Sequence, residues 1–430
     1  FTAEAGSFFD IRGIAIDQLG GGSMIANGGF FRIDDCSIDG GVFNANSGGY
    51  IENVAGSISL LSGMTLNGPL TVKLGSAVQV DADGMVNNST IQLNPDASAS
   101  NSTLEFTESA TLGGSGEVQM RTSADNSQIN TVNDAVLTLA STQLVRGVGQ
   151  VNATLINEGE VRADSSVSVS GNDLDLRTNN MVNNNLFVAA PSSFLDIIGI
   201  TVDQSGGGML VADEGVVTID DATIEGGVFV GIGAGYLENI VGSTSTLSGV
   251  TLNGPSRIRL ASTVLVDADG LTNNGIMQMN LNASASDTFL AFTDTSTLDG
   301  SGEIHMKTAG NNTQINTDPT FVVTHGADHT IRGVGEINAA MTNNGTISAD
   351  SSVSVSGNRL ELQGENKTNA GVISVESSSF MDITGITLTQ VGAGKLQANN
   401  GQFNFDGGAT LELRRRGLGG GETTRELPHA

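Results

Sequence analysis

Two arrangements of carboxylates are spaced for chemistry, and each is written twice. "VDADG" sets Asp81 and Asp83 before Gly84, then Asp267 and Asp269 before Gly270. Carboxylates at i and i+2 ahead of a glycine resemble the start of a calcium loop. The segment that follows, "MVNNSTIQL", has no Glu where an EF-hand needs one. An acidic turn between strands accounts for the same residues. Calcium on Asp81, Asp83, Asp267 and Asp269 is therefore the one cofactor the sequence raises, and no other is expected. The second arrangement is an adjacent pair, Asp34-Asp35, repeated as Asp220-Asp221. Clustered carboxylates serve acid–base work on polysaccharides. Neighbours along a strand point to opposite faces, though, and no partner acid or base can be named. A solvated corner is the better reading, so no catalytic residue is expected.

Other candidates fall away on spacing. His305, His325, His329 and His429 match no complete zinc pattern. Shifted back by 186 positions, the first three meet Gln119, Leu139 and Gln143, so they are not repeated and are read as surface or packing residues. Gly20 to Gly22 and Gly206 to Gly208 lack the helix and Lys of a phosphate loop. The single cysteine, Cys36, aligns with Ala222, which excludes a disulfide framework within the chain. The net charge of −28 repels phosphate backbones and anionic membranes, which argues against nucleic acid as a partner. No apolar run is long enough for a membrane-spanning helix, so this segment is not expected to insert in a membrane.

The elements that must carry these residues are short strands. Apolar residues alternate in brief runs broken by Gly, Asn or Asp, and the chain holds 58 Gly but 6 Pro and no Trp. Those runs recur on a long period. "GSFFDIRGIAIDQLGGG" at Gly6 returns as "SSFLDIIGITVDQSGGG" at Ser192 and "SSFMDITGITLTQVGAG" at Ser378. Asp10, Asp196 and Asp382 hold one place in it, 186 residues apart each time (196−10 and 382−196). The period sets two full units, 1–186 and 187–372, a partial third at 373–413, and a tail at 414–430 that breaks the pattern. Within a unit, strand starts recur at a spacing near 20 residues, one coil of a β-solenoid. The fold expected is all-β: a parallel β-helix, or β-solenoid, with about nine coils per unit. In the repeated line Phe9 and Ile11 face inward, and Gly13 turns the corner. Paired asparagines at Asn87-Asn88, Asn273-Asn274 and Asn343-Asn344 suit amide ladders at the turns.

Phrases such as "TNNGTISADSSVSVSGNRLELQG" (342–364) and "TIDDATIEGGVF" (218–229) resemble coils of large bacterial surface proteins. These are the autotransporter passengers and the filamentous-haemagglutinin-like adhesins. The resemblance covers the chain to about Leu413 and rests on style and period. It implies a right-handed parallel β-helix, secretion, and an extracellular or cell-surface location in a bacterium. It also implies a structural or adhesive role without enzymatic activity. Phe1 begins mid-pattern and the third unit stops early, so the chain reads as a piece of a longer precursor. Open coil ends invite head-to-tail stacking, making a second copy or another surface component the expected partner. The basic tail, with Arg414 to Arg416, is read as a flexible end or an assembly element. The alternative function is a β-helix that binds or degrades polysaccharide, against which an aromatic content of 4% leaves few stacking platforms.

Overall fold

A short amphipathic strand cannot bury its backbone polar groups alone, and here each is satisfied by the coils before and after it. The computed structural model describes residues 1–96, 99–282, 285–416 and 422–426. It is an all-β parallel β-solenoid of about 19 turns. The chain divides into two compact units, one of Phe1–Thr218 with Ile232–Gly235 and one of Ile219–Gly231 with Tyr236–Ala430. In the first unit a coil consists of three strands, as in Thr2–Glu4, Phe8–Arg12 and Ala15–Asp17. Each pairs in parallel with its counterpart one coil on: Ala3 with Ala26, Phe9 with Phe31, Ile16 with Ile38. Three parallel sheets result. The second unit is built the same way, with Ile224 opposite Leu247, Leu252 opposite Asn273 and Met277 opposite Ile304.

Alternation decides what fills the interior. Phe31, Phe43, Phe106 and Phe187 are fully buried in the first unit, as are Phe229 and Ile315 in the second. Two copies of the repeated line behave as the pattern predicts, with Leu195, Ile197, Met381 and Ile383 buried. In the first copy Ile11 is buried, but Phe9, on the first strand of its sheet, is 39% exposed and not inside as expected. Asp196 and Asp382 point outward and bond along the sheet. Asp196 accepts from Thr218, while Asp382 pairs with Arg359 and accepts from Asn404. Among the described residues no helix is long and apolar enough to cross a membrane.

The coil averages about 22 residues, slightly more than the spacing of strand starts suggests. Corner length varies, so Val145 meets Val161, 16 residues on, while Ile91 meets Val118, 27 on. The count per 186-residue period changes accordingly. In the second sheet the strand at Phe8–Arg12 is followed by strands opening at Phe30, Tyr50, Leu70, Thr90, Glu117, Leu144, Glu160 and Leu186. That is eight coils. The copy of the line at Phe194–Ile198 lies one strand further, in the third sheet. One period is thus eight coils plus one third, not nine.

Most corners break the strand, but "RGVG" does not. Leu144–Asn152 runs through its corner as one strand serving two sheets. Gly147 and Gly149 make this possible at φ of 125° and 131°. A Cβ on Gly147 would stand 1.9 Å from the Met120 carbonyl oxygen. Gly333 repeats the arrangement against Met306. Gly147→Ala should therefore destabilise the first unit by at least about 1–3 kcal/mol from backbone strain. Thermal unfolding of the variant checks this, and an unchanged midpoint would show that the corner relaxes freely.

Candidate functional site

The acidic turns come first. Asp81 accepts from the backbone N–H of Asp83, and Asp267 from that of Asp269. The second carboxylate of each pair accepts from a serine one coil away, Ser62 or Ser248. Both copies are thus tight turns tied to a neighbouring coil. Among the described residues no three His, Cys, Asp or Glu side chains gather as a metal would need.

The adjacent pairs form corners. Asp35 and Asp221 both sit at φ 49° in the left-handed region, which Asp tolerates better than most residues. Their carboxylates accept from Ile58 N–H and Thr244 N–H, and their own N–H groups donate to Ser57 and Ser243. Asp34 pairs instead with Arg12 at 2.7 Å. Burial, with Asp221 beside it, raises the pKa of Asp220. Each second Asp is spent on the backbone of the next coil, so the pair does not converge on a common point. Gly20 to Gly22 form a turn over Gln18, with Gly21 at φ 91°.

The most organised polar array is buried; its asparagines were expected at the turns, and the histidines between them were not. Asn343 ends the strand Met341–Asn343 and is almost wholly buried, as are Asn273, Asn369, His325 and His329. Asn273 Nδ2 lies 3.0 Å from His329 Nε2. His329 Nδ1 is 2.9 Å from His325 Nε2, and His325 Nδ1 is 2.6 Å from Asn343 Oδ1. Asn343 donates to Asn369, which donates to Gln390. Donor logic fixes the protons. Asn343 Oδ1 accepts, so His325 carries its proton on Nδ1 and accepts at Nε2; His329 is likewise the Nδ1–H form. Six side chains form a one-way chain of neutral groups. The first unit holds an interrupted version. Asn87 bonds Gln143, Asn157 bonds Asn183, and Asn183 bonds Gln204, but Leu139 stands where the second unit has His325.

Two further sites separate the copies. Lys367 stands where the first unit has Met181. Its ammonium is buried and donates to the carbonyls of Gln363 and Glu365 at 2.8 and 2.7 Å. Burial pulls its pKa down to about 7, against a small upward pull from Glu365. His305 lies in the strand Glu303–Lys307, its Nε2 2.6 Å from Glu303. Cys36 is buried, and burial raises its thiol pKa. His429 lies outside the described residues. The strand Thr410–Arg416 runs from the partial third unit into the tail and pairs antiparallel with Glu422–Glu426. No protein-family profile matches the chain, and no curated protein does.

The histidine pair has a direct consequence for stability. Burial holds His325 at about 4 and His329 at about 3, from an ordinary 6.5. The hydrogen bond to Asn343 and the charge of Asp299 oppose the shift of His325. Between pH 6.5 and 4 the unfolded chain binds more protons than the folded one, so the fold loses stability as the pH falls through this window. A charged imidazole would also add a donor where the chain has no acceptor. The expected loss at pH 5 is on the order of 2 kcal/mol per histidine. The double variant His325→Leu with His329→Gln restores the residues of the first unit. It should lose less stability than the parent between pH 7 and pH 5, measured by thermal unfolding. Equal losses in both proteins would remove the role assigned to the pair.

Proposed function

We propose that the chain is a non-enzymatic β-solenoid scaffold displayed on a bacterial surface, with a structural or adhesive role. The observation that carries this reading is where the repeated polar residues are spent. Asp35 and Asp221 cap backbone one coil away, Asp83 and Asp269 hold serines one coil away, and Asn157 and Asn343 bond the next asparagine. What the copies share is the means of stacking coils. An enzyme of this fold needs an acid and a base aimed at one point, and the repeated carboxylates do not provide that. The resemblance in coil style to secreted bacterial β-helix proteins supplies the location.

Protease added to intact cells that express the chain should degrade it, followed by immunoblot. Protection in intact cells and digestion only after lysis would overturn surface display. The purified chain should release no reducing ends from a panel of acidic polysaccharides. Turnover that disappears in Asp220→Ala with Asp221→Ala would favour the degrading enzyme instead.

A further inference from the structure

The outer face of the second sheet in the first unit carries a row of stacked rings. Phe8, Phe30 and Tyr50 lie one per coil, with centroids 5.2 and 5.0 Å apart and planes within 14° and 2° of parallel. Beside it runs a row of alternating charge. Asp10 is opposite Arg32, and Arg32 is opposite Glu52. Opposite charges facing each other across strands stabilise a sheet. The next position, opposite Glu52, should continue with a cation, but it is Thr71. An open groove of about 700 Å³ lies there, lined by Tyr50, Glu52, Asn67, Thr71, Lys73 and Asp96.

The second unit has a copy of this place with the gap filled. Tyr236, Glu238 and Arg259 stand where the first unit has Tyr50, Glu52 and Lys73. Position 257, equivalent to Thr71, is Arg. Its guanidinium carbon lies 3.5 Å from the centroid of the Tyr236 ring, and Nη1 lies 3.9 Å from Glu238. Arg257 is opposite Glu238 in the strand register, just as Thr71 is opposite Glu52. The chain thus contains its own example of what fits a Tyr–Glu site of this shape: a planar cation stacked on the ring and held by the carboxylate.

In the first unit the charges leave room for that cation. The row and groove hold three anions, Asp10, Glu52 and Asp96, against Arg32 and Lys73. The two cations are already engaged, since Arg32 reaches Asp10 and Glu52 and Lys73 reaches Glu52 and Asp96, all between 3.2 and 3.8 Å. One negative charge is left over. A threonine side chain is too short to cover the ring of Tyr50 as Arg257 covers Tyr236.

We propose that the groove at Tyr50 is a docking site for an arginine side chain of a partner protein, which takes in trans the place that Arg257 takes in cis. The inference goes beyond the scaffold reading and stands on the geometry of the two copies, wherever the chain is located. The guanidinium would lie on the open face of Tyr50, extending the stack by one layer, with Glu52 and Asp96 as acceptors. A single site of this kind, shallow and partly solvated, binds an isolated side chain with Kd on the order of millimolar.

The chain has 2 Tyr and no Trp, so 3-fluorotyrosine labelling gives one fluorine signal for each site. Tyr50→Phe and Tyr236→Phe assign the two signals. Titration of the full chain with N-acetyl-argininamide should move the Tyr50 signal saturably and leave the Tyr236 signal in place. Thr71→Arg, which supplies the side chain in cis, should abolish the response. Arg257→Thr should make the Tyr236 signal responsive. The proposal fails if the Tyr50 signal stays still, if both signals drift together, or if Thr71→Arg responds like the parent. It also fails if a neutral cello-oligosaccharide moves the Tyr50 signal and N-acetyl-argininamide does not.

Discussion

Parallel backbone pairing between successive coils is the constraint on which the rest depends. A coil has no other partner for its N–H and C=O groups, so each strand must lie in register on the one before. Register then decides the neighbours of every side chain. Phe9 meets Phe31, Asn343 meets Asn369, and Glu238 meets Arg257. Rows of like or complementary residues follow from backbone bonding alone. Inward rows become the apolar core, and corner rows become the buried amide chain. Outward rows become charge ladders such as Asp10, Arg32 and Glu52. A residue in this fold is understood by looking one coil up and one coil down.

Much of this was legible in the sequence, because the fold is written in short-range alternation and long-range repetition. "SSFLDIIGITVDQSGGG" declares two buried residues around an outward Asp, then a corner glycine, and Leu195, Asp196, Ile197 and Gly199 take those places. The turn asparagines were legible too, as were the acidic corners. Coil number was not, because corners between 16- and 27-residue coils contain no periodic signal. The histidine chain was also hidden. Asn273 and His329 are 56 residues apart, two 27-residue coils plus a shift at the corner, and no spacing rule links them. The Tyr236–Arg257 contact needed the register, which brings positions 21 apart together across a corner.

Comparison of the copies is more informative than either copy alone. Positions that stay the same explain stacking. Positions that change mark where each unit acquired properties of its own. His325 and His329 stand where the first unit has Leu139 and Gln143, giving the second unit a neutral buried chain sensitive to acid. Lys367, an amine kept inside by two carbonyls, stands where the first unit has Met181. Arg257 stands where the first unit has Thr71, and its guanidinium lies over the Tyr236 ring. These swaps sit in a backbone frame that tolerates them because neighbouring coils, not the swapped side chains, supply the main-chain bonds.

The fractional coil count bears on how such a chain can evolve. Because one period is eight coils and a strand, the line that faces outward from the second sheet at Phe8–Arg12 faces outward from the third at Phe194–Ile198. Within the first unit the copied line is therefore carried by a different sheet instead of lengthening a stripe. Unequal exchange that adds or removes a whole period would do more than alter reach. It would also change which sheet carries the next copy of the line, so a repeat gained or lost changes the face on which the line is shown.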